Sequence, residues 1–341
     1  MNSRMRRRGP APGTDGKDDV TDELQDGAGV VVLAEPRGFC AGVRRAIGVV
    51  ERALDRHGPP VYVRKEIVHN AHVVSMLRRR GAVFVDSEEE VPAGSVCVFS
   101  AHGVSPAVRT TAAGRELRVI DATCPLVSKV HQEARRFARA GRTLLLIGHA
   151  DHEEVEGTRG EAPERTIVVE SEAAAERLDL PVDTPLAYLT QTTLAVDETV
   201  GVVDVLRRRF PDLVGPGTDD ICYASQNRQD AVKELARRTD LVLVVGSPNS
   251  SNSIRMVEVA RLAGTPAQLV PDVTHLEPGW FAGVGAVGLS AGASAPEVLV
   301  EEVLDRLRDM GYGRVQMATV ATEDVVFSLP PAVVDPRGGR T

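Results

Sequence analysis

Apolar side chains recur at helical spacing in three stretches of the chain, and each stretch begins just after a cysteine. Val43, Ala46, Ile47, Val50 and Leu54 follow Cys40; Val127, Val130, Ala134 and Phe137 follow Cys124; Val232, Leu235 and Ala236 follow Cys222. Intervals of three and four put such residues on one face, so each run predicts an amphipathic helix laid on a core. Each helix leads to a short apolar run, Val61-Tyr-Val, Thr143-Leu-Leu-Leu-Ile and Leu241-Val-Leu-Val-Val, as expected of a strand with both faces covered. Polar loops follow: His69-Asn-Ala-His72, His149-Ala-Asp-His152-Glu-Glu154 and Asn249-Ser-Ser-Asn-Ser253. A further strand in each third, at 95–99, 186–189 and 286–289, runs into a second polar cluster at His102, at Thr192 and Thr193, and at Ser294.

The intervals are nearly regular. From cysteine to first loop they are 29, 28 and 30 residues (Cys40 to His69, Cys124 to His152, Cys222 to Asn252). To the second cluster they are 62, 68 and 72 (His102, Thr192, Ser294). A divergent threefold repeat follows, whose equivalent loops face one centre. The fold class expected is α/β: three pseudo-symmetric small α/β units, each a parallel-type sheet flanked by helices, arranged as a trefoil. The division is a disordered tail at 1–29, units at 30–120, 121–218 and 219–315, and an extension at 316–341. A strand at 30–34 opens the first unit and one at 119–121 the second. Further helices are expected near 70–80, 196–209, 254–262 and 296–310, and a strand-like segment at 325–327.

Composition narrows the classes. The 341 residues carry a formal net charge of −8, and no basic block is interleaved with aromatics, which argues against nucleic acid as a partner. No apolar run approaches the roughly 20 residues of a membrane span. The basic start at Arg4 and Arg6 to Arg8 precedes no hydrophobic segment that would serve as a signal, so a cytoplasmic protein is expected. In a reducing compartment, four widely spaced cysteines read as metal ligands, nucleophiles or core residues. Cys97 alternates with Val96 and Val98 and reads as core.

The other three cysteines each open a helix, where backbone N–H groups favour a thiolate. Converging, they would hold an iron–sulfur cluster with one iron lacking a protein ligand; zinc on three thiolates is the alternative, although structural zinc sites usually pair ligands a few residues apart. His152 and Glu154 form a candidate proton relay, in a loop whose spacing implies no helix. The Ser/Asn loop at 249–253, placed before a helix, offers neutral donors to a phosphate, and Ser294 repeats that arrangement. The pocket set is therefore His69, His102, His152, Thr192, Thr193, Ser225, Ser250, Ser251, Asn252 and Ser294.

Eight motifs, in order, resemble those of the 4-hydroxy-3-methylbut-2-enyl diphosphate reductases. They are Pro36-Arg-Gly-Phe-Cys-Ala-Gly-Val, Phe99-Ser-Ala-His-Gly-Val-Ser, Asp121-Ala-Thr-Cys-Pro-Leu-Val, Ile147-Gly-His-Ala with Glu154-Val-Glu-Gly-Thr, Thr190-Gln-Thr-Thr-Leu, Asp220-Ile-Cys-Tyr-Ala, Asn249-Ser-Ser-Asn-Ser and Ala291-Gly-Ala-Ser-Ala-Pro. The resemblance spans roughly residues 30 to 330. It implies a three-lobed fold around a 4Fe–4S cluster ligated by Cys40, Cys124 and Cys222, with one iron open to substrate. It further implies reductive dehydroxylation in the non-mevalonate route of isoprene biosynthesis, yielding isopentenyl and dimethylallyl diphosphates. Glu154 matches the family's proton donor, with Thr192 beside the substrate hydroxyl and His152 in the catalytic set. His69, His102, His152, Ser250, Asn252 and Ser294 match the diphosphate and pocket set. Electrons would come from ferredoxin or flavodoxin. Arg44, Gln226 and Pro248 depart from the family pattern at non-ligand positions. The rival from another class is a non-enzymatic iron–sulfur redox sensor, which needs neither a diphosphate cradle nor a proton donor. A Cys/His hydrolase would leave two cysteines idle.

Overall fold

The computed structural model describes residues 29–218 and 220–334. The tail expected at 1–29, apart from Gly29, and the Gly-rich end at 335–341 lie outside the described residues. The chain begins with β1 (Val30–Glu35), α1 (Ala41–His57), β2 (Val61–Arg64), α2 (Ala71–Arg79), β3 (Ala82–Val85), β4 (Val96–Phe99), α3 (Pro106–Gly114) and β5 (Arg118–Asp121). It continues through α4 (Pro125–Arg139), β6 (Thr143–Ile147), α5 (Glu153–Arg159), β7 (Thr166–Val169), α6 (Glu172–Glu176), β8 (Leu186–Thr190) and α7 (Val196–Arg209). The last part holds α8 (Tyr223–Arg238), β9 (Leu241–Val245), α9 (Ser251–Leu262), β10 (Ala267–Val270), β11 (Ala286–Ala291), α10 (Glu297–Asp309) and β12 (Arg314–Thr319).

Three sheets form, with strand orders β3-β2-β4-β5, β7-β6-β8 and β10-β9-β11-β1-β12. The strand pairs within them are parallel. This is the expected α/β class with three parallel sheets. Parallel strands need covered crossovers, which is why helices alternate with strands along the chain.

Sheet membership corrects the expectation that each third of the chain builds its own sheet. β1 does not open the first sheet; it lies between β11 and β12 in the third. The reason is burial on both faces: Val31 and Leu33 pack with Leu299, Val300 and Val303 of α10, while Val32 and Ala34 pack with Val232 and Leu235 of α8. A strand with two apolar faces is stable only inside a sheet covered on both sides. Likewise β5 does not open the second sheet but closes the first beside β4. In the second sheet the corresponding place is held by Val214, which bridges Ala187 and accepts from the Tyr188 N–H at 2.9 Å.

These fourth places explain where the cysteines lie. Cys40 follows β1, Cys124 follows β5 and Cys222 follows the Val214 segment. The helix after each cysteine packs on a different sheet from the strand before it. Val43, Ala46 and Val50 of α1 pack on Val61 and Val63 of β2. Val130, Ala134 and Phe137 of α4 pack on Leu144 and Leu146 of β6, and Ala231, Val232 and Leu235 of α8 on Val242 and Val244 of β9. Each cysteine thus stands at a junction between two sheets.

Three smaller expectations also change. The 325–327 segment is not a strand; β12 takes the place beside β1. Residues 320–330 instead run without regular structure across α1; Leu329 packs on the core beside it and Arg45 Nε donates to the Ser328 carbonyl at 2.8 Å. A helix, α5, does follow His152, favoured by Glu153, Glu154 and Glu156 in its first turn. The helix expected from 254 starts at Ser251, so Ser251, Asn252 and Ser253 form its first turn.

Candidate active site

Functional loops of open parallel sheets lie beyond the carboxyl ends of the strands. The same holds here for β1, β2, β4, β5, β6, β8, β9 and β11, after which come Cys40, His69, His102, Cys124, His152, Thr192, Ser250 and Ser294. The outer strands β3, β7 and β10 carry no predicted site residue. One cavity of about 110 Å³ is lined by Cys40, Cys124 and Cys222, by His69, His102 and His152, and by Glu154, Thr192 and Thr193. Ser225, Ser250, Ser251, Asn252 and Ser294 complete it. The structure therefore brings together every residue singled out from the sequence.

At one end are the three thiols, each the N-cap residue of its helix. Cys40 Sγ accepts from the Val43 N–H at 3.5 Å and Cys222 Sγ from the Ser225 N–H at 3.2 Å. Burial nevertheless outweighs these donors. It pushes the Cys124 thiol up to about 12 and the Cys222 thiol up to about 11. The helix ends alone do not make thiolates; a buried cationic group would. A methyl group at Gly42 would fall 2.8 Å from Cys124 Sγ and 3.8 Å from Cys40 Sγ, so the absent side chain leaves room where two thiols meet. Cys97, by contrast, is fully buried in β4, its thiol pushed up to about 12 by the same cause.

At the other end stand the imidazoles. His69 and His102 stack with ring centres 4.1 Å apart, and His152 meets both edge-on at 5.5 and 5.9 Å. Their Nδ1 atoms are all engaged: His69 with Glu66 at 3.2 Å, His102 with Glu153 at 3.0 Å, and His152 as acceptor from the Glu154 N–H at 3.1 Å. Carboxylates on two of these nitrogens orient the rings. Burial pushes His102 below its usual range and His152 down to about 3, so His152 is neutral with its proton on Nε2. The His69 hydrogen bond holds Glu66 below the usual carboxylate range; for Glu153, His102 does so against burial.

Hydroxyls and amides close this end. Ser250 caps α9, Ser294 Oγ donates to the His69 carbonyl at 2.9 Å, and Asn252 Oδ1 accepts from the Ala293 N–H at 2.8 Å. Ser251 Oγ lies 3.1 Å from Thr193 Oγ1, and Ser225 Oγ 3.2 Å from Cys222 Sγ. The helix N-terminus adds unpaired backbone N–H groups, so the whole surface suits an anion.

Glu154 lines the same cavity as the thiols and the imidazoles. It is 3 % exposed; Oε1 accepts from the Thr192 N–H at 2.7 Å and Oε2 from the Thr192 hydroxyl at 3.0 Å. Burial pushes its carboxyl up to about 7, so it holds a proton near neutral pH.

Sequence reasoning missed several supporting residues. Gln191, 1 % exposed, donates to Thr193 Oγ1 and Ser251 Oγ and accepts from the His149 N–H. Glu66 and Glu153 orient histidines, whereas the Glu156 side chain is 60 % exposed. Among the described residues, His69, His102 and Glu153 are the trio bringing three ligand atoms within 4.8 Å of one another. The three cysteines come from separate helix starts and line one cavity.

Over residues 31–308 the sequence matches the family described as LytB protein. This chain belongs to the LytB family. A LytB relative from Nocardia farcinica, named 4-hydroxy-3-methylbut-2-enyl diphosphate reductase, is 59 % identical over 306 residues, covering 89 % of this chain and 91 % of that one. One from Burkholderia pseudomallei with the same name is 56 % identical over 300 residues, covering 88 % and 96 %. Among solved structures, the E-1-hydroxy-2-methyl-but-2-enyl-4-diphosphate reductase of Plasmodium falciparum superposes with a TM-score of 0.87 at 37 % identity, covering 90 % of this LytB chain and 97 % of its own. Both the trefoil of parallel sheets and the family expected from the sequence are thus borne out.

Proposed function

We propose that this LytB chain removes the allylic hydroxyl of 4-hydroxy-3-methylbut-2-enyl diphosphate, giving isopentenyl and dimethylallyl diphosphates with uptake of two electrons and two protons. A 4Fe–4S cluster on Cys40, Cys124 and Cys222 is the cofactor read from the site. The carrying observation is one cavity with three thiols at one end, anion-binding imidazoles and hydroxyls at the other, and a buried protonated carboxyl lining it. Three thiols lining one cavity, brought close at Gly42 where a side chain would strike Cys124 Sγ, support the fit of a cluster. When bound, the cluster supplies electrons and an iron without a protein ligand that accepts the substrate's hydroxyl oxygen.

The chain's own residues do the rest. Diphosphate oxygens accept from Ser250, Asn252 and Ser294 and from the Nε2 atoms of His69, His102 and His152. Glu66 and Glu153 offset the positive charge that His69 and His102 gain as the anion arrives. Glu154 gives up its proton, and the Thr192 hydroxyl, held on Glu154 Oε2, relays it toward the leaving oxygen. Gln191 keeps Thr193 and Ser251 in place beside the substrate. Among the described residues no helix is long and apolar enough to cross a membrane. A cytoplasmic ferredoxin or flavodoxin completes the proposed system as electron donor.

The test is anaerobic purification with iron and sulfide analysis, then turnover with a strong one-electron donor. About four irons per chain together with both C5 diphosphates are expected. A cluster present with substrate untouched would replace this reading with a redox sensor.

A further inference from the structure

Three cations link the cysteine junctions in a closed cycle. Arg45, five residues after Cys40 on α1, donates from Nη1 to the Ala122 and Thr123 carbonyls at 3.0 and 3.1 Å, in the loop entering Cys124. Lys129, five residues after Cys124 on α4, donates from Nζ to the Thr218 carbonyl at 2.8 Å and to Asp220 Oδ1 at 3.3 Å, in the loop entering Cys222. Arg228, six residues after Cys222 on α8, donates from Nε and Nη2 to the Gly38 carbonyl at 3.0 and 2.6 Å, in the loop entering Cys40. Arg228 is fully buried and also bonds Glu323, while Arg45 reaches Ser328, so the 320–330 segment backs two of the three.

Each helix begun by one cysteine therefore holds the approach to the next. A cation on a loop carbonyl fixes the rotation of that peptide and so the direction from which the following cysteine enters the cavity. Cluster ligands must be held to a few tenths of an ångström, and groups behind the ligands commonly set that tolerance.

We propose that Arg45, Lys129 and Arg228 are positioning residues that jointly pre-set the cysteine triangle for its cluster. The proposal rests on the cluster reading above. It requires that no single member be dispensable, since opening a cycle anywhere releases one junction.

The experiment compares reconstituted wild type with Lys129→Met, Lys129→Arg, Arg45→Met and Arg228→Met. The readouts are iron retained against a chelator, the electron paramagnetic resonance spectrum of the reduced cluster and its midpoint potential. Lys129 is the decisive position, because its own side chain is 31 % exposed and the buried Asp220 carboxyl it leaves behind still accepts from the Thr190 N–H. Each Met variant is expected to lose iron roughly tenfold faster, with a lower midpoint potential and a changed spectrum, and Lys129→Arg to restore all three. Wild-type retention, potential and spectrum in Lys129→Met and Arg45→Met would overturn the proposal, whether or not Arg228→Met folds. Failure of wild type itself to take up iron would count against the cluster reading instead.

Discussion

The two ends of the cavity are built in different ways. At the sulfur end one device is used three times: a strand in one sheet, a cysteine, then a helix on the neighbouring sheet. At the anion end equivalent loops carry different chemistry: two histidines leaning on carboxylates, a neutral histidine and the capped start of α9. The contrast follows the demand each end meets. A compact, symmetric group is best gripped by equivalent positions around an axis, whereas a substrate with a head and a tail needs inequivalent ones.

If that contrast is right, the largest effect comes from breaking the triangle. Cys124→Ser is expected to abolish iron binding beyond adventitious levels and with it turnover, as metal analysis and assay would show. The same change at Cys97 is the control, because that side chain is buried in β4 outside the cavity; iron content stays at wild type and only about 1–2 kcal/mol of stability is lost.

Next comes the buried carboxyl. Glu154→Gln keeps the Thr192 contact and the iron content but removes the proton, and turnover should fall by about 10²–10⁴. Turnover within threefold of wild type would take Glu154 out of the proton path. At the anion end, removal of one donor among several is milder: Ser294→Ala should raise KM roughly tenfold or more with kcat little changed, matching one hydrogen bond to a charged group. A fall in kcat instead would mean that the hydroxyl acts on the reacting centre.

The smallest effect is a stability slope with pH. The Glu154 carboxyl keeps its proton in the folded chain up to about 7 but loses it near its ordinary 4.5 when unfolded, so folding is favoured at low pH and this contribution is lost as pH rises from about 4.5 to about 7. Asp220, pushed up to about 6 by burial, acts in the same direction, and His152, pushed down to about 3, acts in the opposite one. Neither changes in Glu154→Gln. Relative to wild type, the iron-free variant should therefore gain up to about 3 kcal/mol across that window, visible as a Tm difference that widens with pH. A constant difference would show that Glu154 is charged throughout.

The same contrast accounts for what the sequence made legible. The cysteines announce themselves because a repeated device repeats its signature, Cys followed by a 3.6-residue apolar period. His69, His102 and Ser294 were found because each ends an apolar strand in a polar cluster. Gln191 was not, since nothing local separates an amide that braces a pocket from one that faces water; its role arises from Ser251, 60 residues away. Glu66 and Glu153 were missed for the same reason. The sheet that takes β1 was illegible because a six-residue apolar strand carries no record of its partners, and the 325–327 segment misled because β-branched residues favour strands only where an edge is open to receive them.

The place of β1 has a consequence for how the molecule comes into being. The third sheet takes β1 between β11 and β12, that is, between two segments that begin 256 and 284 residues later. During synthesis β1 must wait, and Cys40 waits with it, while the first two sheets can already close. On the proposed reading of a cluster shared by the three cysteines, Cys40 reaches its place only once later strands pair with β1, so a chain terminated before β11 is expected to hold no iron.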